Sequence, residues 1–246
     1  MTRTAPGFSL IEMAIVLTIL GALLSGLLVA LGQSTENSRR IEARNELRDF
    51  SEALYGFAQT VGRLPCPALN NTDGLEDPVG GGDCTAANGF LPNATLNLSG
   101  SINTDGLLLD PWGNPYRYSV AVRDASDGDR AFTHAGGLST FYNNNELTST
   151  DILSVCDSSG CGGIVLADSA PAVVLSMGNN WPEFTSADEI ANGGGPPPAT
   201  NLGTYAVSTT DEFVSTEYNE LTFDDMIVWL SPHILFSKMI SAGKLP

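Results

Sequence analysis

Histidine is almost missing from this chain: His134 and His233 are the only two in 246 residues. They sit in unrelated contexts, which leaves little basis for a histidine-built metal site or for imidazole catalysis and suits two structural residues. Basic residues are also scarce, 11 Lys and Arg against 28 Asp and Glu, for a net charge of −17. A surface this acidic repels phosphate backbones, which argues against a nucleic-acid partner. No G-x-S-x-G, H-E-x-x-H or Gly-rich phosphate loop occurs, so the sequence offers no catalytic constellation and the expectation is that the protein is not an enzyme. Proline is absent between Pro6 and Pro65, so nothing in that stretch forbids one long helix. Disorder is excluded from the other side, because 42% hydrophobic residues suffice to bury a core.

The charge is unevenly placed. Up to residue 63 there are six basic residues (Arg3, Arg39, Arg40, Arg44, Arg48, Arg63) and six acidic ones (Glu12, Glu36, Glu42, Glu46, Asp49, Glu52). The remaining five basic and 22 acidic residues, and with them the whole net charge, lie from Leu64 onward. Within the neutral part, residues 13–31 carry no charged side chain. A helical run of that length approaches the roughly 30 Å of a bilayer's hydrocarbon core. It is longer than a secretory h-region and lacks a following small-residue cleavage site. Beyond Gly32 the apolar positions Ile41, Leu47, Phe50, Leu54, Phe57 and Val61 continue at helical spacing, with Ala43 in the one longer gap. Leu64-Pro65-Cys66-Pro67 then stops the pattern. A continuous helix from Phe8 to Val61 would run about 80 Å, half apolar and half amphipathic, and would need partners along its length.

Glu12 stands at the entrance to this apolar run. A carboxylate in lipid costs on the order of a few kcal/mol and is ordinarily paired. Gly7-Phe8-Ser9-Leu10-Ile11-Glu12, after a short polar leader with Arg3 and before the apolar run, resembles the class III signal of type IV pilins and type II secretion pseudopilins. The resemblance implies cleavage by prepilin peptidase between Gly7 and Phe8, N-methylation of the Phe8 amine, and pairing of Glu12 with a neighbouring subunit's amino terminus. It also implies an inner-membrane precursor with the head outside, handled by an inner-membrane assembly platform and built with other pilin or pseudopilin subunits into a surface or periplasmic filament. Two departures stand out: Pro6 adjoins the scissile glycine, and Val29 replaces the helix-kinking proline of many members. The expected organisation is a leader (1–7), a transmembrane and filament-core helix (8–32), its amphipathic continuation (33–63) and an acidic, β-rich head (64–246).

After Pro67 the composition turns to Gly, Asn, Asp, Ser, Thr and Pro. Short β-favouring runs at 116–122, 163–166, 172–176, 204–208 and 226–230 are separated by Asp-Gly turns, and 232–244 reads as a short helix. The Gly-Gly-Gly-Pro-Pro-Pro run at 193–198 reads as a surface loop, with too little chain after it for a second core. The expected fold is therefore α+β: a long amino-terminal helix packed on an antiparallel sheet with long loops. Asn-Thr-Asp-Gly-Leu occurs at 71–75 and again at 103–107, too short a match for a repeat architecture and readable as two similar turns. Asp110-Pro111-Trp112-Gly113-Asn114-Pro115-Tyr116-Arg117-Tyr118 resembles the segment of major pseudopilins that leads into the first strand of their sheet.

The four cysteines, Cys66, Cys84, Cys156 and Cys161, all follow the apolar run, as suits an oxidising compartment. Proximity in sequence favours Cys66–Cys84 and Cys156–Cys161 disulfides over a zinc site, for which only the second pair has suitable spacing. No cofactor is implied outright; calcium is the one candidate. Asp124, Asp127 and Asp129 do not fit an EF-hand loop and read as a solvated turn. Asp224-Asp225-Met226-Ile227-Val228-Trp229 resembles the pseudopilin segment near a calcium-stabilised loop, which implies Asp224 and Asp225 as ligands. Asn70, Asn93 and Asn97 match the glycosylation sequon, a frequent coincidence in an Asn-rich chain. The functional expectation is a filament subunit, a minor pilin or pseudopilin; the alternative is a filament-borne adhesion module whose head recognises a surface or ligand.

Overall fold

A computed structural model describes residues 9–121, 132–144, 153–181, 186–193, 212–219 and 222–246, with side chains at 24–33, 141, 143 and 144 not described. The chain divides into two compact units, Met1–Glu42 and Ala43–Pro246. Helix α1 (Leu10–Val61) is 52 residues long and contributes to both. It ends where a proline-free helix should: Gly62 takes a left-handed φ of 88° and its N–H returns to the Ala58 carbonyl at 2.8 Å.

In the first unit the described apolar side chains of α1 face outward, with Leu10 92% and Leu23 67% exposed. Among the described residues no helix is long and apolar enough to cross a membrane. The uncharged run at 13–31 is helical throughout, and its side chains from residue 24 onward lie outside those described.

The second unit is built on the last turns of α1. Ala43, Leu47, Phe50, Leu54, Tyr55 and Ala58 are buried and join the main core. The same face includes Ala43, in the gap of the sequence pattern, whereas Ile41, just before the unit begins, is half exposed. These residues meet a four-stranded antiparallel sheet made of β1 (Asn88–Phe90), β2 (Arg117–Val120), β5 (Ala172–Ser176) and β7 (Met226–Trp229), in the order β1-β2-β5-β7. Every residue of β5 is buried, as a central strand covered on both faces requires. Phe50 meets Tyr116 edge-on at 4.8 Å between centroids, and the Tyr116 hydroxyl donates to Glu46 at 2.5 Å. Helix α4 (Pro232–Ser241) flanks α1: the Ser231 N–H donates to the Tyr55 hydroxyl at 2.9 Å and Gln59 Nε2 donates to the Lys238 carbonyl at 3.1 Å.

A second sheet, in the order β4-β3-β6, comprises β3 (Leu153–Cys156), β4 (Val165–Ala170) and β6 (Glu212–Val214), with β3 and β6 parallel. Helices α2 (Gly137–Asn144) and α3 (Ala187–Gly193) and a short 3-10 helix (Ser159–Cys161) are the other described elements. The α+β expectation holds. The run at 172–176 is β5, 116–122 contains β2, 226–230 contains β7, and 163–166 overlaps the start of β4. The run at 204–208, the Gly-Pro run at 193–198 (beyond Gly193) and the acidic turn at 124–129 lie outside the described residues. Strands β1, β3 and β6 lie outside the β-favouring runs, and β1 and β6, at three residues each, are too short to show a period. The Asp110–Tyr118 segment accordingly leads into the second strand, with short β1 paired on its outer edge.

The two Asn-Thr-Asp-Gly-Leu segments are indeed similar turns, and they pack on each other. Gly74 and Gly106 both take φ of 73°. A Cβ on Gly74 would lie 2.7 Å from the Gly106 carbonyl oxygen, so a side chain there has neither the conformation nor the room. Asn93 bridges them: its Nδ2 donates to the Gly106 carbonyl at 3.1 Å.

Candidate functional site

The amino-terminal site begins at the first described residues. Gly7 and Phe8 lie outside the described residues. Immediately after them, Ser9 and Glu12 form a capping box: the Ser9 N–H donates to Glu12 Oε2 at 3.2 Å, and the Ile11 N–H donates to Ser9 Oγ at 3.3 Å. Two backbone donors that a helix start leaves without intrahelical partners are thereby satisfied. The signal for it is local, Ser-x-x-Glu at residues 9–12. Glu12 is exposed, as are Leu10, Ile11 and Met13 around it. An apolar surface with one negative charge at its tip can take up lipid or other apolar helices, and can attract a cation brought by a neighbour.

This segment falls inside a family match. Residues 3–28 carry the prokaryotic N-terminal methylation motif. It is the signature of type IV pilins and pseudopilins. The pilin motif implies processing by prepilin peptidase and assembly with other pilin subunits, and it suggests a membrane-anchored precursor that becomes part of a filament. The motif is that of a structural, pilin-type family. No curated protein matches the chain, and no solved structure does. The pilin signature therefore describes the stem, and the head must be read from its own geometry.

In the head, Cys66 is bonded to Cys84 and Cys156 to Cys161. The first bond lies just past the end of α1, beside the ion pair of Arg63 with Glu76. Arg63 Nη1 and Nη2 donate to the two Glu76 oxygens at 2.7 Å each, and the Cys66 and Gly80 N–H groups donate to the same carboxylate at 3.1 and 3.2 Å. The Tyr118 hydroxyl, wholly buried, donates to the Pro65 carbonyl at 3.0 Å, and burial pushes its pKa well up. Together these bonds tie the chain leaving α1 to the strand β2. His134, one of the two histidines, sits 2.7 Å from Asp83 in the same region, a structural pairing.

Asp110 organises the Asp-Pro-Trp-Gly-Asn-Pro turn. Its Oδ1 accepts the Trp112 and Asn114 N–H groups at 3.0 and 2.8 Å, and its Oδ2 accepts the Ser176 hydroxyl at 2.6 Å. Burial raises its pKa against these bonds. Gly113, at φ 93°, closes the turn, and Trp112 packs, partly buried, against the core.

Asp224 and Asp225 are both buried, with Glu189 of α3 buried nearby. Asp224 Oδ2 accepts the Asn179 and Asn180 N–H groups at 2.6 and 2.9 Å, while its Oδ1 is buried without a hydrogen-bond partner. Asp225 Oδ2 accepts Asn192 Nδ2 at 2.8 Å, and Asn192 in turn clamps β6, with the Val214 N–H donating to its Oδ1 at 2.7 Å. Burial pushes the Asp224 carboxyl up to about 6 and the Asp225 carboxyl well above its ordinary range, with the neighbouring negative charges adding to both. Calcium takes six to eight oxygens, chiefly from carboxylates and carbonyls. Among the described residues no group of three or more His, Cys, Asp or Glu side chains is arranged to hold a metal ion. The orphaned Asp224 oxygen alone does not make a ligand set, and Asp225 is committed to Asn192. The pair's described role is to join β7 to the loop after β5 and to α3.

Proposed function

We propose that this chain is a minor pilin or pseudopilin, cut by prepilin peptidase between Gly7 and Phe8, N-methylated on Phe8, and assembled through α1 into a type IV pilus-like filament. The observation that carries the reading is the methylation motif at residues 3–28, set on an exposed apolar helix start. The uncharged run holds the precursor in the inner membrane, where the assembly platform collects it. Glu12 then sets the register: cleavage creates a cationic amine on each subunit, and only the correct stagger brings a neighbour's amine to this carboxylate. A buried charge left without that partner is strongly unfavourable, so incorrect registers are rejected. The head's surplus of 22 acidic over five basic residues makes closely spaced copies repel, which favours a sparsely incorporated subunit over the filament's main component.

Mass measurement of the membrane-extracted chain tests the processing step. Wild type should lose residues 1–7 and gain one methyl group, and Gly7→Val should remain full length. Sheared filament fractions test the assembly step: Glu12→Ala should be processed normally yet be missing from filaments. Normal processing of Gly7→Val, or normal incorporation of Glu12→Ala, contradicts the proposal.

A further inference from the structure

A cavity unused by this reading lies on the head, where two motifs of the sequence meet. It measures about 460 Å³, within the ~300–1,000 Å³ of ligand clefts. Its lining includes the second Asn-Thr-Asp-Gly-Leu turn, with Asn103, Thr104 and Asp105, and the Gly113-Asn114-Pro115 turn. Phe90 and Trp181 also line it, and the nearly buried Arg117 guanidinium lies against their rings, 4.4 Å from the centroid of Phe90 and 5.0 Å from that of Trp181. Phe90 belongs with Ala68 and Leu107 to a small hydrophobic cluster of its own.

The site is built rather than incidental. Asn103 Oδ1 accepts the Asp105 and Leu107 N–H groups at 3.0 and 2.9 Å, which fixes its amide at the wall. Asn114 is held by a 2.6 Å bond from its Nδ2 to the Gly178 carbonyl. Gly106 behind the turn is locked against Asp73 of the sister turn. At the rim, Asn70, Thr104 and Asp105 are exposed.

The chemistry of the walls selects the ligand. Amide, hydroxyl and carboxylate groups around an opening demand a ligand that both donates and accepts hydrogen bonds at several points. The aromatic lining demands one that also presents apolar C–H surface. An anion is disfavoured, because Arg117 is only 3% exposed beneath its rings while Asp105 and the acidic head face the approach. Among the described residues of the lining, a cation would find one carboxylate, Asp105. We infer that this cavity binds a neutral saccharide of roughly one or two rings. The inference gives the head a recognition role on the proposed filament, but the binding itself does not depend on filament assembly.

The test uses the full-length chain in detergent micelles, titrated with glucose, galactose, N-acetylglucosamine, cellobiose, lactose and maltose, with galacturonate and glucosamine as charged comparisons. Tryptophan fluorescence and calorimetry report binding. The expected result is saturable binding of at least one neutral sugar with Kd below about 10 mM, a weak but specific affinity. Asn70→Ala and Asp105→Ala, both at exposed positions, should each weaken it at least fivefold without moving the melting temperature, and Trp181→Ala should abolish it. Absence of saturable binding by every neutral sugar overturns the inference. So does binding that the two rim variants leave unchanged, and so does tighter binding of galacturonate than of galactose. Because each arm is read on purified protein, failure here leaves the processing and assembly results standing, and the converse also holds.

Discussion

Replacing Glu76 with alanine should be among the most damaging single changes in the head. Glu76 is 4% exposed and Arg63 5%. The carboxylate receives both ends of the guanidinium at 2.7 Å and two backbone N–H groups besides. Without it, the buried guanidinium retains its bond to the Leu64 carbonyl at 3.0 Å and its stacking over Phe57 at 5.2 Å, and the Cys66 and Gly80 donors lose an acceptor. Removing one partner of a buried ion pair costs about 3–5 kcal/mol. Each stranded N–H adds about 1–3 kcal/mol if water cannot reach it, so about 4 kcal/mol is a conservative sum. Against a total stability of ~5–15 kcal/mol this is a large share. At about 2–4 °C per kcal/mol for a unit of this size, the melting temperature should fall by about 8–16 °C. Thermal and urea unfolding followed by near-ultraviolet circular dichroism, on the full chain in detergent, measures it. The double variant Arg63→Met with Glu76→Leu removes both charges and should recover more than half of the loss. A Glu76→Ala loss below about 1 kcal/mol would show a solvated pair and would refute the reasoning. A double variant as unstable as the single one would show that the charge pairing is not what matters.

Three further outcomes follow from the same geometry. Cys66→Ala with Cys84→Ala opens a loop with a sequence separation of 18 and should lower stability by about 3 kcal/mol, against about 2 kcal/mol for Cys156→Ala with Cys161→Ala; equal unfolding midpoints with and without the first bond would contradict this. Burial raises the Asp224 pKa to about 6 from its ordinary 3.8, so the folded state favours the protonated acid. Its contribution is complete below about pH 3.8 and is lost as pH rises through about 6. Asp224→Asn should therefore gain stability relative to wild type between pH 4 and 7, and a difference that stays constant across that window would exclude the effect. Tyr118→Phe leaves the Pro65 carbonyl without its partner and should cost about 1–2 kcal/mol by urea unfolding; a neutral substitution would mean that water replaces the bond.

Much of the architecture was readable because its signals are local. The end of the helix was visible in Leu64-Pro65-Cys66-Pro67, and β5 in the short β-favouring run at 172–176. The capping box was equally readable, from Ser9 and Glu12 at the right spacing. Strands such as β1 and β6 were not, since three residues carry no period and become strands only because a neighbour offers hydrogen bonds. Ala43 shows the same limit within a helix. A small residue in a gap of the stripe becomes core when the head closes over it, while the more apolar Ile41 stays half exposed.

The sequence alone determined the division of labour: a neutral, apolar stem with a processing signal, and a head that holds all the net charge. Composition and an ordered motif carry that information without any contact being known. Only the tertiary structure decided what the head's residues do. It buried Glu76 against Arg63, buried Asp224 and Asp225 with bonds to backbone and to Asn192, and placed Arg117 against two rings far apart in sequence. Those outcomes depend on desolvation and on partners tens of residues away, and neither is a property of a residue's own neighbourhood in the chain.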